Sequence, residues 1–267
     1  MKLKEALRDK LNEEELNLVK NSYDVIGSIA ILELDKKLKN KEKIIGETLI
    51  KLNKNIKTVL KKKGSHKGLY RIQNYSYVVG DKNTATEYRE NNCRFILDIT
   101  KTYFSPRLSS ERLRIANLVK KNEDVLVMFS GIGIYPIIIS KFSKAKSIYC
   151  VEVNKAANEY AKKNISLNLV NNVNLYCMDV RKLKINKKFD RILMPLPKGA
   201  ENFLNIAKKF IKKGGIVHFY SFSSEDKIKK IDKKIKKVFK KIKILKIVKC
   251  GNLAPGIYRY CVDFKAE

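Results

Sequence analysis

Acidic residues are scarce in this 267-residue chain: 27 Asp and Glu face 58 Lys and Arg, a formal charge of +31. Such an excess repels itself unless a polyanion is the working partner, and nucleic acid is the natural candidate. Heavy use of Lys, Ile and Asn throughout also fits compositional drift, and a lysine-rich surface suits life at high temperature. Histidine occurs only twice, at His66 and His218, too few and too scattered for a zinc or iron site. The five cysteines, Cys93, Cys150, Cys177, Cys250 and Cys261, include no Cys-x-x-Cys pair, and three lie in apolar, strand-like runs. All five are expected to be buried thiols in a reducing compartment. No apolar run reaches the roughly eighteen residues of a membrane-spanning helix, and no signal-peptide pattern opens the chain. A cytoplasmic protein without a membrane partner is expected. Hydrophobic residues make up 44% of the chain, enough for a sizeable core in one large domain or two small ones, so fibrous and disordered classes do not fit.

Against that background one stretch stands out. Asp124-Val125-Leu126-Val127-Met128 followed by Phe129-Ser130-Gly131-Ile132-Gly133 reads as a buried strand and a glycine turn opening into a helix. The next apolar run, Ile148 to Val151, ends in Glu152, an acid at a strand tip that can accept hydrogen bonds from ribose hydroxyls. Gly131 and Gly133 let backbone approach a ligand, although the same spacing occurs in dinucleotide enzymes and in plain strand-helix packing. Val173 to Met178 forms a third strand ending in Asp179, and Phe189 to Met194 a fourth, opening into Pro195-Leu196-Pro197. These strand ends would line one edge of a parallel sheet, where open α/β sheets bind ligands. Ile216 to Tyr220 is a fifth strand, with Ser223 capping a lysine-rich helix to Lys241. In that helix Ile228, Ile231, Ile235 and Val238 form a core-facing stripe opposite a solvated basic face. Ile242 to Cys250 and Ile257 to Phe264 finish as an antiparallel pair across Asn252 to Gly256. A reversed terminal pair favours S-adenosylmethionine over a nicotinamide dinucleotide.

Ahead of this sheet the chain predicts a small α+β module. One amphipathic helix is expected over residues 1 to about 20, a strand over Tyr23 to Leu34, a helix over Glu42 to Leu52 and a short strand at Thr58 to Leu60. Lys61 to Lys67 reads as a basic loop, and the aromatic run Tyr75 to Val79 follows it; interleaved bases and aromatics suit RNA, while a solvated loop explains the segment in isolation. Arg94 to Ile99 is a further strand, and Ser109 or Ser110 would cap a helix running to Lys121.

The linker Tyr103-Phe104-Ser105-Pro106-Arg107-Leu108-Ser109-Ser110-Glu111-Arg112, the Leu196-Pro197 turn, the Gly215 to Tyr220 strand and Ala254-Pro255-Gly256-Ile257-Tyr258 carry a resemblance. The chain resembles, over nearly its whole length, the archaeal and eukaryotic tRNA (guanine-37-N1)-methyltransferase family. The resemblance implies an α/β fold: a Rossmann-like class I S-adenosylmethionine-dependent methyltransferase domain, its mainly parallel sheet ending antiparallel, preceded by a small α+β domain. Residues 1–100 would be the RNA-binding middle domain and 101–267 the catalytic domain, with a linker over 101–123. It implies S-adenosylmethionine as cofactor, the tRNA anticodon loop as partner and a monomer. Glu111 would be the general base, Arg107 and Arg112 would orient the purine and the cofactor end, and Arg71 would stabilise negative charge on the purine oxygen. Tyr103, Arg112, Phe129, Val153, Val180 and Pro195 join Gly131, Gly133, Glu152 and Asp179 as cofactor-binding positions, with no metal. An exposed helical ion pair between Glu111 and Arg107 is the plain alternative.

Three positions depart from the family pattern. Too few residues precede Tyr23 for the family's elbow-binding domain, Val127 stands where Asp is common, and Pro195 replaces the Asn of an Asn-Leu-Pro motif. Proline offers no donor to a guanine edge. A less polar target follows, and the archaeal branch implied in wyosine biosynthesis, which methylates C7 of 4-demethylwyosine, fits it, with N1 methylation of guanosine-37 either retained or lost. Strict N1 methylation of guanosine-37, transfer of an aminocarboxypropyl group, and a catalytically silent RNA-binding protein are the competing readings.

Overall fold

A computed structural model describes residues 2–196 and 198–267, and the side chains of all of these except residues 65–67. Pro197 and the side chains of His66 and Lys67 therefore lie outside the described residues. The chain divides into two compact units, Met1–Pro106 and Arg107–Glu267.

In the first unit a 3-10 turn, Glu5–Leu7, precedes helix α1, Glu13–Leu18, so the continuous helix expected over the first twenty residues is broken. Asn12 is the cause. Its side chain accepts from the Glu15 N–H at 2.8 Å while the Glu15 carboxylate accepts from the Asn12 N–H at 3.1 Å, a reciprocal cap that starts a new helix. The strand expected over Tyr23 to Leu34 is a hairpin of β1, Asp24–Ile26, and β2, Ile29–Leu32. Gly27 permits the turn, with φ +56° and a position where any Cβ would lie 2.2 Å from the Glu87 carbonyl oxygen. Helix α2, Glu42–Leu52, falls where the sequence puts it. Strands β3, Thr58–Lys67, and β4, Ile72–Gly80, complete a sheet ordered β1-β2-β3-β4, in which β2 and β3 run parallel. The basic segment Lys61–Lys67 thus belongs to a strand, not a loop: Lys61, Lys62, Lys63 and Lys67 pair with β4, and the register shifts between Lys63 and Lys67, where Gly64 takes φ +63°. A separate antiparallel ribbon joins β5, Ala85–Glu90, to β6, Cys93–Asp98; β5 was not foreseen.

The second unit contains α3, Ser109–Leu118; β7, Asp124–Met128; α4, Ile134–Phe142; β8, Ser147–Glu152; α5, Lys155–Leu167; β9, Val173–Cys177; β10, Phe189–Met194; α6, Leu204–Phe210; β11, Ile211–Ser223; α7, Glu225–Ile228; α8, Ile231–Phe239; β12, Ile242–Ala254; and β13, Ile257–Ala266. Its seven strands are ordered β12-β13-β11-β10-β7-β8-β9, with β13 antiparallel to both neighbours and β11 through β9 parallel. The expected Rossmann-like sheet with a reversed end is present. Every residue of β7 is buried because helices cover both faces of the central strands.

Two helix starts differ from expectation. The 3-10 turn Pro106–Leu108 leads straight into α3, so Leu108 takes the cap position without a capping bond, and the helix ends at Leu118 rather than Lys121. Ser223 ends β11 instead of capping a helix, and the lysine-rich stretch is split into α7 and α8. The isoleucine stripe behaves as expected: Ile228, Ile231 and Ile235 join the core.

Strand alternation sorts the sheet into two unlike faces. Leu126, Met128, Ile192, Met194, Val217, Phe219, Val262 and Phe264 pack with residues of α6 and α8 in an apolar core. Arg191, His218, Tyr220, Cys261 and Asp263 alternate with them, are equally buried, and carry polar groups on the opposite face.

Candidate active site

The carboxyl ends of β7, β8, β9 and β10 gather most of the expected cofactor residues on one edge of the sheet. β7 ends at Met128, and Phe129, at φ +61°, turns the chain through a left-handed conformation that a bulky residue seldom adopts. Such strain collects at ligand sites because the surrounding structure must hold it. Phe129 is wedged edge-on against Phe203, ring centroids 4.8 Å apart. Gly131 (φ +57°) and Gly133 (φ +83°) follow, and α4 begins at Ile134. Gly133 has a packing role as well: a Cβ there would stand 3.2 Å from the Ala161 Cβ, so α4 and α5 approach closely only without a side chain.

Glu152 organises the loop. Its Oε2 accepts from the Gly131 N–H and its Oε1 from the Asn154 N–H, both at 2.8 Å. Burial nevertheless raises its carboxyl above the ordinary glutamate value, because removal from water outweighs these bonds. Next to it the Ser130 hydroxyl is buried and has no hydrogen-bond partner among the described residues. An orphaned hydroxyl beside a strained glycine turn and a carboxylate that can accept from ribose hydroxyls fits a ribose-bearing ligand. Val153 is half-buried between Glu152 and Asn154, which caps α5.

At the tip of β9, Asp179 accepts from the Arg181 N–H at 2.9 Å and pairs with the Arg181 guanidinium. That bond holds its carboxyl below the usual aspartate value. Val180 is 3% exposed and its side chain is committed to the core. Pro195 is the centre of a tight turn in which Leu196 N–H donates to the Met194 carbonyl at 2.7 Å, a conformation its ring favours.

Of the expected catalytic residues, Arg71 belongs to the first unit, where its guanidinium lies 5.3 Å from the centre of the Tyr103 ring. Arg107 is exposed on the turn before α3, while Arg112 on α3 is buried. Glu111 is 5% exposed, so it is not the solvated helical ion pair that its spacing from Arg107 allows. Arg114 grips it instead, donating from Nε to Oε2 at 2.7 Å and from Nη2 to Oε1 at 2.8 Å, and the Tyr220 hydroxyl donates to Oε1 at 2.7 Å.

Around Glu111 lies a set of side chains that sequence reasoning missed. Arg114 Nη1 donates to Asp263 Oδ2 at 2.7 Å, His218 Nδ1 lies 2.6 Å from Asp263 Oδ1, and Arg191 Nη1 lies 2.7 Å from His218 Nε2. Arg191 also donates to both oxygens of Glu123 and to the Leu118 carbonyl. Tyr135 on α4 donates to the Tyr220 hydroxyl at 3.0 Å. The available signal was a polar residue inside each of two apolar runs, His218 in β11 and Asp263 in β13. Burial would raise Asp263, yet the bonds from His218 and Arg114 bring its carboxyl well below the usual range. Burial lowers His218. His218, Cys261 and Asp263 offer ligand atoms within 4.8 Å of one another, but the ring nitrogens are already bonded and two guanidinium groups abut the cluster, which opposes a cation.

The cysteines are free, as expected, but only Cys93, Cys150 and Cys261 are buried; Cys177 is exposed because it ends β9 at the open edge, and Cys250 is half-buried on the edge strand β12.

Comparison with known proteins agrees with this architecture. Residues 86–248 match the family described as TRM5/TYW2 methyltransferase domain, and residues 3–84 match the TYW2 N-terminal domain. The chain is 36% identical over 251 residues to tRNA (guanine(37)-N(1))-methyltransferase Trm5b of Pyrococcus abyssi, covering 92% of this chain and 75% of that one. It is 30% identical over 246 residues to tRNA 4-demethylwyosine(37)-methyltransferase Taw21 of Saccharolobus solfataricus, covering 91% and 93%. Among solved structures, P. horikoshii TYW2 in complex with MeSAdo superposes with TM-score 0.83 at 28% identity, covering 98% of this chain and 97% of that one. The complex of aTrm5 with tRNALeu gives 0.88 at 34%, covering 100% and 78%. This chain belongs to the TRM5/TYW2 methyltransferase family.

Proposed function

We propose that this chain is an S-adenosylmethionine-dependent tRNA methyltransferase acting on the purine at position 37, with C7 of 4-demethylwyosine as its target and N1 methylation of guanosine-37 either retained or lost. The cofactor reading is supported by the fit of the cradle: Glu152 for the ribose, the orphaned Ser130 hydroxyl, and a loop at Gly131 that exposes backbone. Asp179 would share its carboxylate between a ligand and Arg181. The cofactor supplies an electrophilic methyl group, so the protein's task is to align the target base and relieve it of a proton. Glu111 is the proton acceptor in this reading, and Arg107 orients the base.

Pro195 carries the choice of target. Its turn presents a ring without a donor where an amide would read the edge of guanine, which suits a tricycle that is bulkier and less polar. Similarity to Trm5b favours the second reading, N1 methylation of guanosine-37. Mass spectrometry of the position-37 nucleoside decides, after incubation with S-adenosylmethionine and either guanosine-37 tRNA or 4-demethylwyosine-37 tRNA. Methyl gain on the tricycle is expected; gain on guanosine alone refutes the role of Pro195, and gain on neither refutes the enzyme.

The RNA partner is supported by a cavity of about 480 Å³ at the carboxyl end of β11, lined by Ser221, Phe222, Lys227, Lys230, Lys233 and Lys237, among others. Among the described residues none of these four lysines is in an ion pair, so their charge is available to phosphate. Residues 1–100 would serve as the RNA-binding module and 101–267 as the catalytic domain, in a cytoplasmic monomer. Among the described residues no helix is long and apolar enough to cross a membrane.

A further inference from the structure

We propose that His218 and Asp263 are positioning residues for Glu111, acting through Arg114. The inference deepens the reading of Glu111 as proton acceptor and rests on it.

A guanidinium can only donate hydrogen bonds. Arg191 is 1% exposed and its Nη1 is 2.7 Å from His218 Nε2, so Nε2 must be the bare nitrogen. The ring is therefore neutral and carries its proton on Nδ1, which donates to Asp263 Oδ1 at 2.6 Å. Asp263 Oδ2 is left to receive Arg114 Nη1, with Nη2 3.4 Å from Oδ1, and the Nε–Nη2 edge of the same guanidinium donates to both oxygens of Glu111. Each group thus has one acceptable orientation, and the chain of donors runs one way, from Arg191 through His218 to Asp263.

The architecture explains why this control is needed. Arg114 sits between two carboxylates, Glu111 on its own helix and Asp263 on β13. Without Asp263 the guanidinium would have one partner and more freedom in how it holds it. With Asp263 locked by a neutral histidine, Arg114 is clamped in a plane, and the Glu111 carboxylate is clamped with it. The Tyr220 hydroxyl fixes the remaining approach to Oε1, itself held by Tyr135. A base held this way is oriented before substrate arrives. Register makes the clamp possible: His218 pairs with Asp263 directly across the β11-β13 ladder, putting both side chains on the same sheet face.

Glutamine separates this role from mere packing. His218→Gln keeps one acceptor for Arg191 and one donor for Asp263, whereas His218→Leu keeps the volume and removes both. The assay measures kcat and KM for methyl transfer to position-37 tRNA and the Kd for S-adenosylmethionine, with Glu111→Gln in parallel. His218→Leu should lower kcat about 10- to 100-fold, by analogy with the range seen when the hydrogen-bond partner of a metal ligand is removed, with KM and Kd unchanged. His218→Gln should restore most of that loss. Asp263→Asn, whose NH2 must face either the Nδ1 proton or the Arg114 guanidinium, should lower kcat in the same way and serves if His218→Leu does not fold. The proposal is overturned if Glu111→Gln is inactive while His218→Leu and Asp263→Asn keep full kcat, or if His218→Gln is as impaired as His218→Leu. Full activity in Glu111→Gln overturns the reading of Glu111 itself.

Discussion

Replacing Glu152 by Gln should weaken S-adenosylmethionine binding by about 10- to 150-fold. The magnitude follows from the charged hydrogen bond that a ribose hydroxyl would lose; bonds of 2.8 Å from Gly131 and Asn154 hold the two carboxylate oxygens in place for it. An amide has one oxygen, so one of these N–H groups would face an NH2 and lose its acceptor, and the ribose would lose a charged partner. A hydrogen bond to a charged group contributes about 1.5 to 3 kcal/mol, which converts to that range in Kd. Isothermal titration at neutral pH measures it directly. A Kd within about twofold of the wild type would refute the argument, since RT ln 2 is well under one such bond. Acidity gives a second arm with a worked sign. Burial raises the Glu152 carboxyl, so the stability it contributes to the ligand-free protein is present below the ordinary glutamate value and is lost as pH rises through the raised one. Ligand affinity moves oppositely, because the ribose needs the ionised form. On acidification the wild-type Kd should therefore begin to rise above the ordinary glutamate value, while the Gln variant shows no such step.

Gly133→Ala forces a side chain into a φ of +83° and to 3.2 Å from Ala161 Cβ, and should cost about 1 to 3 kcal/mol, read as a fall in the denaturation midpoint. An unchanged midpoint would show that α4 and α5 part freely. Neutralising Lys227, Lys230, Lys233 and Lys237 together should lower the slope of log affinity for tRNA against log salt by about 0.9 for each phosphate that a lysine no longer neutralises, whereas neutralising Lys120, Lys121 and Lys213, which line a cavity beside the start of β11, should leave it unchanged. Equal effects from the two sets would mean that only net charge matters. Arg191→Met strips Glu123 and His218 of a buried partner and should destabilise the protein by about 3 to 5 kcal/mol; adding Glu123→Gln should recover part of this, and strict additivity of the two changes would argue against coupling.

The cofactor edge was legible in the sequence because its signals are local. Gly131 and Gly133 lie within five residues of the end of β7, and Glu152 and Asp179 each end an apolar run, so spacing alone predicts which side chains share an edge. The antiparallel end of the sheet was legible in the reversed pair β12 and β13. Errors arose where composition suggested one structure and pairing imposed another. Lys61 to Lys67 has the lysine, glycine and serine of a loop, yet Lys61, Lys62, Lys63 and Lys67 pair with β4. Asn12 carried a readable capping signal with Glu15, but the leucine period ran through it and concealed the break. Ser109 and Ser110 have the chemistry of caps and lie inside the helix, because the 3-10 turn before them already sets its direction.

The polar clamp was not legible for a different reason. Its members are scattered from Glu111 to Asp263, and what joins them is register: a shift of one residue between β11 and β13 would send His218 and Asp263 to opposite faces. Nothing in either strand's composition states that register. What the sequence does state is a conflict, a histidine between Val217 and Phe219 and an aspartate between Val262 and Phe264, and burial of such groups is costly unless each has a partner. That conflict is itself informative. An apolar face would pack α3 against the sheet at many nearly equivalent positions, whereas buried donors and acceptors accept only the position in which Arg114 meets both carboxylates. The side chain whose position is thereby determined most closely is Glu111, the residue on which the proposed chemistry depends.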